Sequence, residues 1–367
     1  MATISACLIM KNEAKQNEFF KDKTNIDVCL SSLSKFCDEI IVVDTGSTDN
    51  SIEIAKQYTD KIFQFIENPF DFSNARNESF KKATKEWILW TDMDDYYSDE
   101  NVEKILKLKP ILDTTDSKYF SWYYDYRHFR GKCSYSFIRD RLLKNDNSFF
   151  WRYSIHEELV CNGKSTILED VTTIHTCNHD NNVKYVEMFR KIEQHRELYP
   201  RELYYYGGEL FVLGQIDKCL EVLKKFETTN YPGIYENKRA QDYLAKCYLK
   251  KGDCTKAKEH FLRYGAYDAF NRDVIYNIAD CCFRMNDIEQ AIFYYSIVTN
   301  IEFANNNLTK IDDESIIENS YLQLCVCYYR LGKVKEAIEA NDKALKLNPN
   351  NQNALANEKF FKKSWKN

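Results

Sequence analysis

The chain carries no long block of Lys or Arg, and its net charge at pH 7 is −5. The electrostatic footprint of a nucleic-acid binder is therefore missing, and polyanionic partners are not expected. No apolar run is long enough to span a bilayer. The apolar opening, residues 3–10, is short, lacks a basic leader and runs straight into Lys11-Asn12-Glu13. It reads as a first strand and not as a signal peptide. Cysteines paired at metal-ligand spacing are lacking too. Of the thirteen, Cys281 and Cys282 are adjacent, and Cys325-x-Cys327 falls in a helical pattern where both can simply pack. An odd count without such pairs argues against a disulfide framework and for reduced thiols in a cytosolic protein. At 367 residues the chain is long enough for two domains, each with its own core.

Against these absences one stretch stands out. Trp87-Ile88-Leu89-Trp90 is apolar and runs into Asp92, Asp94 and Asp95, three carboxylates within four residues. Clustered carboxylates repel one another unless something positive sits among them. Mg²⁺ or Mn²⁺ meets that need, because such hard cations take oxygen ligands and are commonly held by one or two carboxylates plus the phosphates of a substrate. The Asp-x-Asp at the strand end is thus a candidate dock for a diphosphate; the alternative is a solvated acidic turn.

From Thr3 to about Trp122 strand and helix patterns alternate. Strands are predicted at residues 4–10, 39–44, 61–66 and 87–92, and helices near 26–36, 51–58 and 74–84. Such α/β alternation predicts a mostly parallel sheet with helices on both faces, and ligands bound beyond the carboxyl ends of its strands. At one such end Asp44 leaves the run Ile40-Ile41-Val42-Val43, followed by Gly46 and a helix that Ser47, Thr48 or Asp49 is expected to cap. A carboxylate and free backbone N–H groups in one crevice suit a nucleotide; the alternative is an ordinary strand-to-helix turn. Further on, Asp71-Phe72-Ser73-Asn74-Ala75-Arg76 places Arg76 in the first turn of a helix capped by Ser73 or Asn74. There its guanidinium reaches a phosphate or base, or else pairs at the surface with an acid such as Asp71.

Together, Val43-Asp44-Thr45-Gly46-Ser47-Thr48-Asp49, then Phe72-Ser73-Asn74-Ala75-Arg76-Asn77, then Trp87-Ile88-Leu89 leading into Asp92-Met93-Asp94 resemble the family 2 glycosyltransferases of GT-A (Rossmann-like) fold. The likeness covers residues up to about Asp180. It implies that Asp44 contacts the nucleotide, that Arg76 helps to hold it, and that Asp92 and Asp94 form the metal motif, with Asp94 preferred as the direct ligand. Thr45 stands where many members have a second acid. Met93-Asp94-Asp95 stands where many have a small residue followed by Asp-Glu, which leaves the shape of the sugar pocket open.

The acceptor side is expected in residues 118–180. Tyr119-Phe120-Ser121-Trp122-Tyr123-Tyr124 is an aromatic strand, and Ile138-Arg139-Asp140-Arg141-Leu142-Leu143 leads through Trp151 to His156-Glu157. A His-Glu pair here also resembles a branch of the family. An inverting transfer needs a base for the acceptor's proton, and Glu157 is the choice, with His156 second. His175 resembles the histidine that completes the metal shell in many GT-A enzymes, with His179 as its rival.

After Tyr199-Pro200 the chain reads as helix with a repeat. Aligning Gly214, Gly252, Asn286 and Gly332 puts Cys219, Ala257, Ala291 and Ala337 five residues later in each copy, with an insertion expected at residues 302–315. The pattern resembles tetratricopeptide repeats. The expected division is a GT-A domain over residues 1–199 and an all-α repeat domain over 200–367. Stacked helix pairs offer a concave surface to an extended peptide or to a second subunit, as in a homodimer; the alternative is a scaffold for the catalytic domain. The combination is similar to enzymes that glycosylate bacteriocin peptides or flagellin. It implies a metal-dependent inverting transfer from a UDP-sugar or related nucleotide sugar to a peptide or protein. The rival readings are a lipopolysaccharide-core or other glycan acceptor, and an inactive transferase domain beside a binding module.

Overall fold

The computed structural model describes residues 1–129, 132–176, 182–267, 270–300 and 313–364. The chain divides into two units, residues 1–181 with 187–196, and residues 182–186 with 197–367. The first begins with β1 (Ile4–Met10), α1 (Asn25–Leu33), β2 (Glu39–Asp44), α2 (Ser51–Ala55), β3 (Ile62–Gln64), α3 (Phe72–Lys82) and β4 (Trp87–Trp90). Then come a two-residue β5 (Asp95–Tyr96), α4 (Asp99–Leu112), the long hairpin β6 (Tyr119–Phe129) and β7 (Lys132–Lys144), then β8 (Phe150–Arg152), β9 (Glu158–Val160) and β10 (Ser165–His175).

Eight strands form one sheet in the order β3-β2-β1-β4-β7-β6-β10-β5, and β8 pairs with β9 separately. The expected mostly parallel sheet is found only in its first half. There β3, β2, β1 and β4 run parallel, and β1 and β2 are buried almost throughout, as apolar strands covered on both faces must be. The aromatic hairpin then enters antiparallel to β4, β10 runs parallel to β6, and β5 closes the edge antiparallel to β10. The sheet is therefore mixed.

Helix α1 shows how local signals and core agree. Thr24 and Asp27 form a reciprocal capping box, with Thr24 Oγ1 accepting from the Asp27 N–H at 3.1 Å and Asp27 from the Thr24 N–H at 3.2 Å. Ile26, Leu30 and Leu33 lie on one helix face and are fully buried with Trp87, Phe120 and Trp122. Of the expected caps, Asp49 bonds the start of α2 from one residue further out, and that of α3 is a different residue. Asn50 precedes α2 without a side-chain bond, while Asp49 accepts from the Ser51 N–H at 3.0 Å. Asp71 caps α3, accepting from the Asn74 N–H at 3.0 Å.

The second unit begins within α5 (Asn182–His195). The helices that follow are α6 (Pro200–Val212), α7 (Ile216–Glu227), α8 (Ile234–Lys250), α9 (Cys254–Tyr264), α10 (Arg272–Arg284), α11 (Ile288–Asn300), α12 (Asp313–Arg330), α13 (Val334–Leu347) and α14 (Gln352–Ser364). From α6 to α13 they pack as consecutive antiparallel-type hairpin pairs. Each pair turns on the residue aligned in the sequence: Gly214, Gly252, Asn286 and Gly332 have φ of 70°, 78°, 63° and 71°. This left-handed region suits Gly and, less well, Asn. Five residues on, Cys219, Ala257, Ala291 and Ala337 are all fully buried, so small side chains sit where the paired helices meet. Most of the expected insertion, residues 302–312, lies outside the described residues.

At the start of β2, Glu39 ties the first unit together. Its side chain is 1% exposed and ion-pairs with Lys61. It also accepts from Ser5 Oγ at 2.5 Å, the Thr84 N–H at 2.9 Å and Thr84 Oγ1 at 2.8 Å. Burial raises its pKa, but the Lys61, Ser5 and Thr84 hydrogen bonds outweigh that and bring it down to about 2, from 4.5. A depressed carboxyl pKa stabilises the fold above the unfolded value, and that contribution is lost as pH falls through the folded one. Glu39→Gln is therefore expected to cost about 1–3 kcal/mol at pH 7. In urea unfolding the gap to wild type should hold above about pH 4.5 and close towards pH 2; a gap independent of pH would refute the role of its charge.

Candidate active site

β4 delivers the acids. Beyond Trp90 the chain turns tightly, the Asp95 N–H bonding the Asp92 carbonyl at 3.1 Å. Asp95, 1% exposed, braces this turn: its Oδ2 accepts from Thr91 Oγ1 and from the Asp92 N–H, both at 3.1 Å. Met93 is 3% exposed and packs into the main core, which directs it away from the acids.

The partner of this turn comes from eighty residues later in the chain. The β5–β10 ladder sets His175 opposite Asp95, and the Thr176 N–H and Oγ1 bond the Asp94 carbonyl at 2.9 and 2.8 Å. His175 Nδ1 stands 3.0 Å from Asp95 Oδ1 and 3.5 Å from Asp94 Oδ1. The Tyr124 hydroxyl is 2.9 Å from both Asp95 Oδ1 and His175 Nδ1. One ligand atom each from Asp94, Asp95 and His175 lies within 4.8 Å of the others. Two carboxylates and an imidazole at this spacing could hold a divalent metal ion. Asp95 is already committed to protein donors and is better placed to hold the histidine. Burial lowers the His175 pKa, but the Asp95 hydrogen bond and the charges of Asp94, Asp95 and Asp92 raise it to about 9. The imidazolium thus occupies the place of a cation, which must displace its proton on binding. His179 lies outside the described residues.

Asp92 lies outside this trio. Its Oδ1 receives Arg76 Nη2 at 2.6 Å, and Arg76 Nε donates to Glu157 Oε1 at 2.8 Å. Arg76 is 6% exposed and, in place of the alternative surface pair with Asp71, bridges Asp92 and Glu157. Burial pushes the Asp92 carboxyl up, but Arg76, then Arg139 and Arg141, hold it far below the usual range. Glu157 enters just before β9, after His156, whose backbone has φ 53°. Asp44 ends β2, separated from β4 by β1 alone, or roughly 10 Å across the sheet. Its carboxylate takes the Gly46 and Ser47 N–H groups at 3.1 and 3.2 Å, and Asn12 takes that of Thr48 at 2.7 Å. The N–H groups expected to face a ligand are thus bonded within the turn.

Two arginines of β7, Arg141 fully buried and Arg139 half-buried, were not singled out. Arg141, fully buried, stands 3.2 Å from Asp95 Oδ2 and 4.2 Å from the Trp90 ring; Arg139 stands 4.9 Å from the same ring. A bulge between the Phe120–Leu142 and Ser121–Asp140 pairs lets both reach it. The signal for Arg141 was its place directly before the apolar Leu142-Leu143, where a buried arginine needs an acid to meet it.

Residues 5–164 match glycosyl transferase family 2. The N-terminal unit is a family 2 glycosyltransferase domain. Residues 273–303 and 319–351 match tetratricopeptide repeats, so this family 2 domain is followed by a repeat unit. A similar protein is the SPbeta prophage-derived glycosyltransferase SunS of Bacillus subtilis (strain 168), 27% identical over 257 residues. The match covers 66% of this chain and 57% of that protein, so the chain spans little more than half the length of this relative. A TPR repeat-containing protein of Synechococcus elongatus is 31% identical over 157 residues, 43% of this chain and 35% of that protein. A crystal structure of MamA protein aligns with 46% of this chain and 82% of its own, at 18% identity and a TM-score of 0.37.

The two neighbouring acids should separate in their effects on stability. Asp95→Asn strips Arg141 of its buried partner and is expected to lower the unfolding free energy by about 3–5 kcal/mol. Asp94→Asn, at a partly exposed carboxylate, should cost under about 1 kcal/mol. Urea unfolding of both variants at one pH checks this, and equal losses would contradict the division of roles.

Proposed function

We propose that this chain transfers a sugar, with inversion, from a nucleotide-diphosphate donor of the UDP-sugar class to a peptide or protein side chain, with Mg²⁺ or Mn²⁺ bound at the acid cluster. The observation that carries this reading is the convergence of Asp94, Asp95 and His175 within 4.8 Å, beyond the carboxyl ends of parallel strands in a family 2 glycosyltransferase domain. When bound, the cation supplies charge that steadies a departing diphosphate. Asp44, at the neighbouring strand end, is assigned to the nucleoside. Arg76 aligns Asp92 and Glu157 on either side of its guanidinium. Glu157 Oε2 makes no hydrogen bond to any described residue and is the oxygen offered to the acceptor's proton. His156, next in the chain, is the second choice.

The tetratricopeptide repeats support a polypeptide acceptor, because stacked helix pairs suit an extended chain. No described helix is long and apolar enough to cross a membrane. Every described cysteine is a free thiol, which supports a reducing, cytosolic setting.

Nucleotide release by the purified protein, measured across UDP-, GDP- and dTDP-sugars with peptides or glycans present, tests the reading. The expected result is release from one donor with Mn²⁺ or Mg²⁺, none with EDTA, and stimulation by peptides above glycans. Asp94→Asn should lower kcat by at least about 100-fold with the fold intact. Full turnover in EDTA, or in this variant, would remove the metal from the reading, and stimulation by glycans alone would replace the acceptor.

A further inference from the structure

Three guanidinium groups meet the Trp90 ring, and their commitments differ. Arg76 spends Nε on Glu157 and Nη2 on Asp92. Arg141 is sealed in the core with Asp95 and the Trp90 carbonyl. Arg139 makes no hydrogen bond or ion pair to any described residue and is half-buried. Rings carry it, and its charge is felt by Asp92 at longer range: its Cζ lies 4.9 Å from the centroid of Trp90, 5.3 Å from Tyr124 and 5.9 Å from Phe137.

Tyr124 links this arginine to the acid cluster. Its ring carries Arg139, while its hydroxyl stands 2.9 Å from Asp95 Oδ1 and His175 Nδ1. One tyrosine thus separates an uncommitted guanidinium from the trio that fits a divalent cation. Stacking on aromatic faces fixes a guanidinium's plane and leaves its N–H fork open, which is the arrangement that recognises phosphate through two parallel bonds. Arg76, itself buried, has no such freedom, since turning towards a phosphate breaks its bonds to two partly buried acids.

We propose that Arg139 binds the donor's diphosphate beside the acid cluster, and that Arg76 is a positioning residue for Asp92 and Glu157. The assignment rests on the glycosyltransferase reading. In that transfer the acceptor atom bonds to the anomeric carbon, the carbon–oxygen bond to the diphosphate breaks with its electron pair leaving on the diphosphate, and the acceptor's proton passes to Glu157. Negative charge therefore grows where an open guanidinium is already in place.

Calorimetric titration of the full-length protein with Mn²⁺ present, using UDP, GDP and dTDP and the matching monophosphates, decides the matter. The wild type should bind one nucleoside diphosphate. Arg139→Ala should weaken that binding about tenfold or more and alter monophosphate binding less than about twofold; Arg139→Lys, which keeps the charge but loses the flat fork, should fall between. If Arg139→Ala fails to fold, as judged by circular dichroism, the Lys variant carries the comparison. Unchanged diphosphate affinity, or equal loss of di- and monophosphate, overturns the assignment while leaving the transferase reading in place. A wild type that binds none of the diphosphates overturns both.

Discussion

Everything at this site follows from the need to bring four carboxylates together without letting them repel. Asp92, Asp94 and Asp95 come from one turn, and Glu157 joins them through Arg76. Like charges at such spacing are tolerated only with cations among them. The fold supplies Arg76 for Asp92 and Glu157, Arg141 for Asp95, and protonated His175 between Asp94 and Asp95. The most deeply buried of these acids, Asp95, faces a fully buried arginine.

Aromatic rings are what make this affordable in a packed interior. Trp90 meets three guanidinium groups and packs edge-on against Trp151, with ring centroids 4.7 Å apart. Flat rings accept flat cations without demanding a carboxylate for each. The mixed sheet has the same origin, because β6 and β7 enter beside β4 to bring Tyr124, Arg139 and Arg141 to the end of that strand.

The parallel half of the sheet was legible because β1, β2 and β4 are short apolar runs punctuated by turn residues, and the repeat turns because Gly or Asn recurs where φ is positive. Asp44, Arg76, Asp94 and His175 were singled out as candidates because each is a polar group at the end of an apolar segment or beside one. What could not be read is which acid faces which partner. Asp95 looked like a spare member of an acidic run, yet it braces its own turn and holds His175, a fact fixed by a ladder between residues eighty positions apart. The ion pairs of Arg76 could not be read for a similar reason: Asp92 and Glu157 come from separate segments. The cap at Asp71 was misplaced because several adjacent polar residues compete for one helix start.

β5 is two residues long and lies at the edge of the sheet, with a neighbour on one side only. Short edge pairings are the first to open in a sheet's local fluctuations. The contact between Asp95 and His175 is itself part of that pairing. Anything bound across Asp94 and His175 is therefore also a clasp on the sheet's last strand, and its affinity contains the free energy of keeping that edge shut. Occupancy of the site and order of the edge rise and fall together, so the chemistry and the hem of the sheet are two faces of one equilibrium.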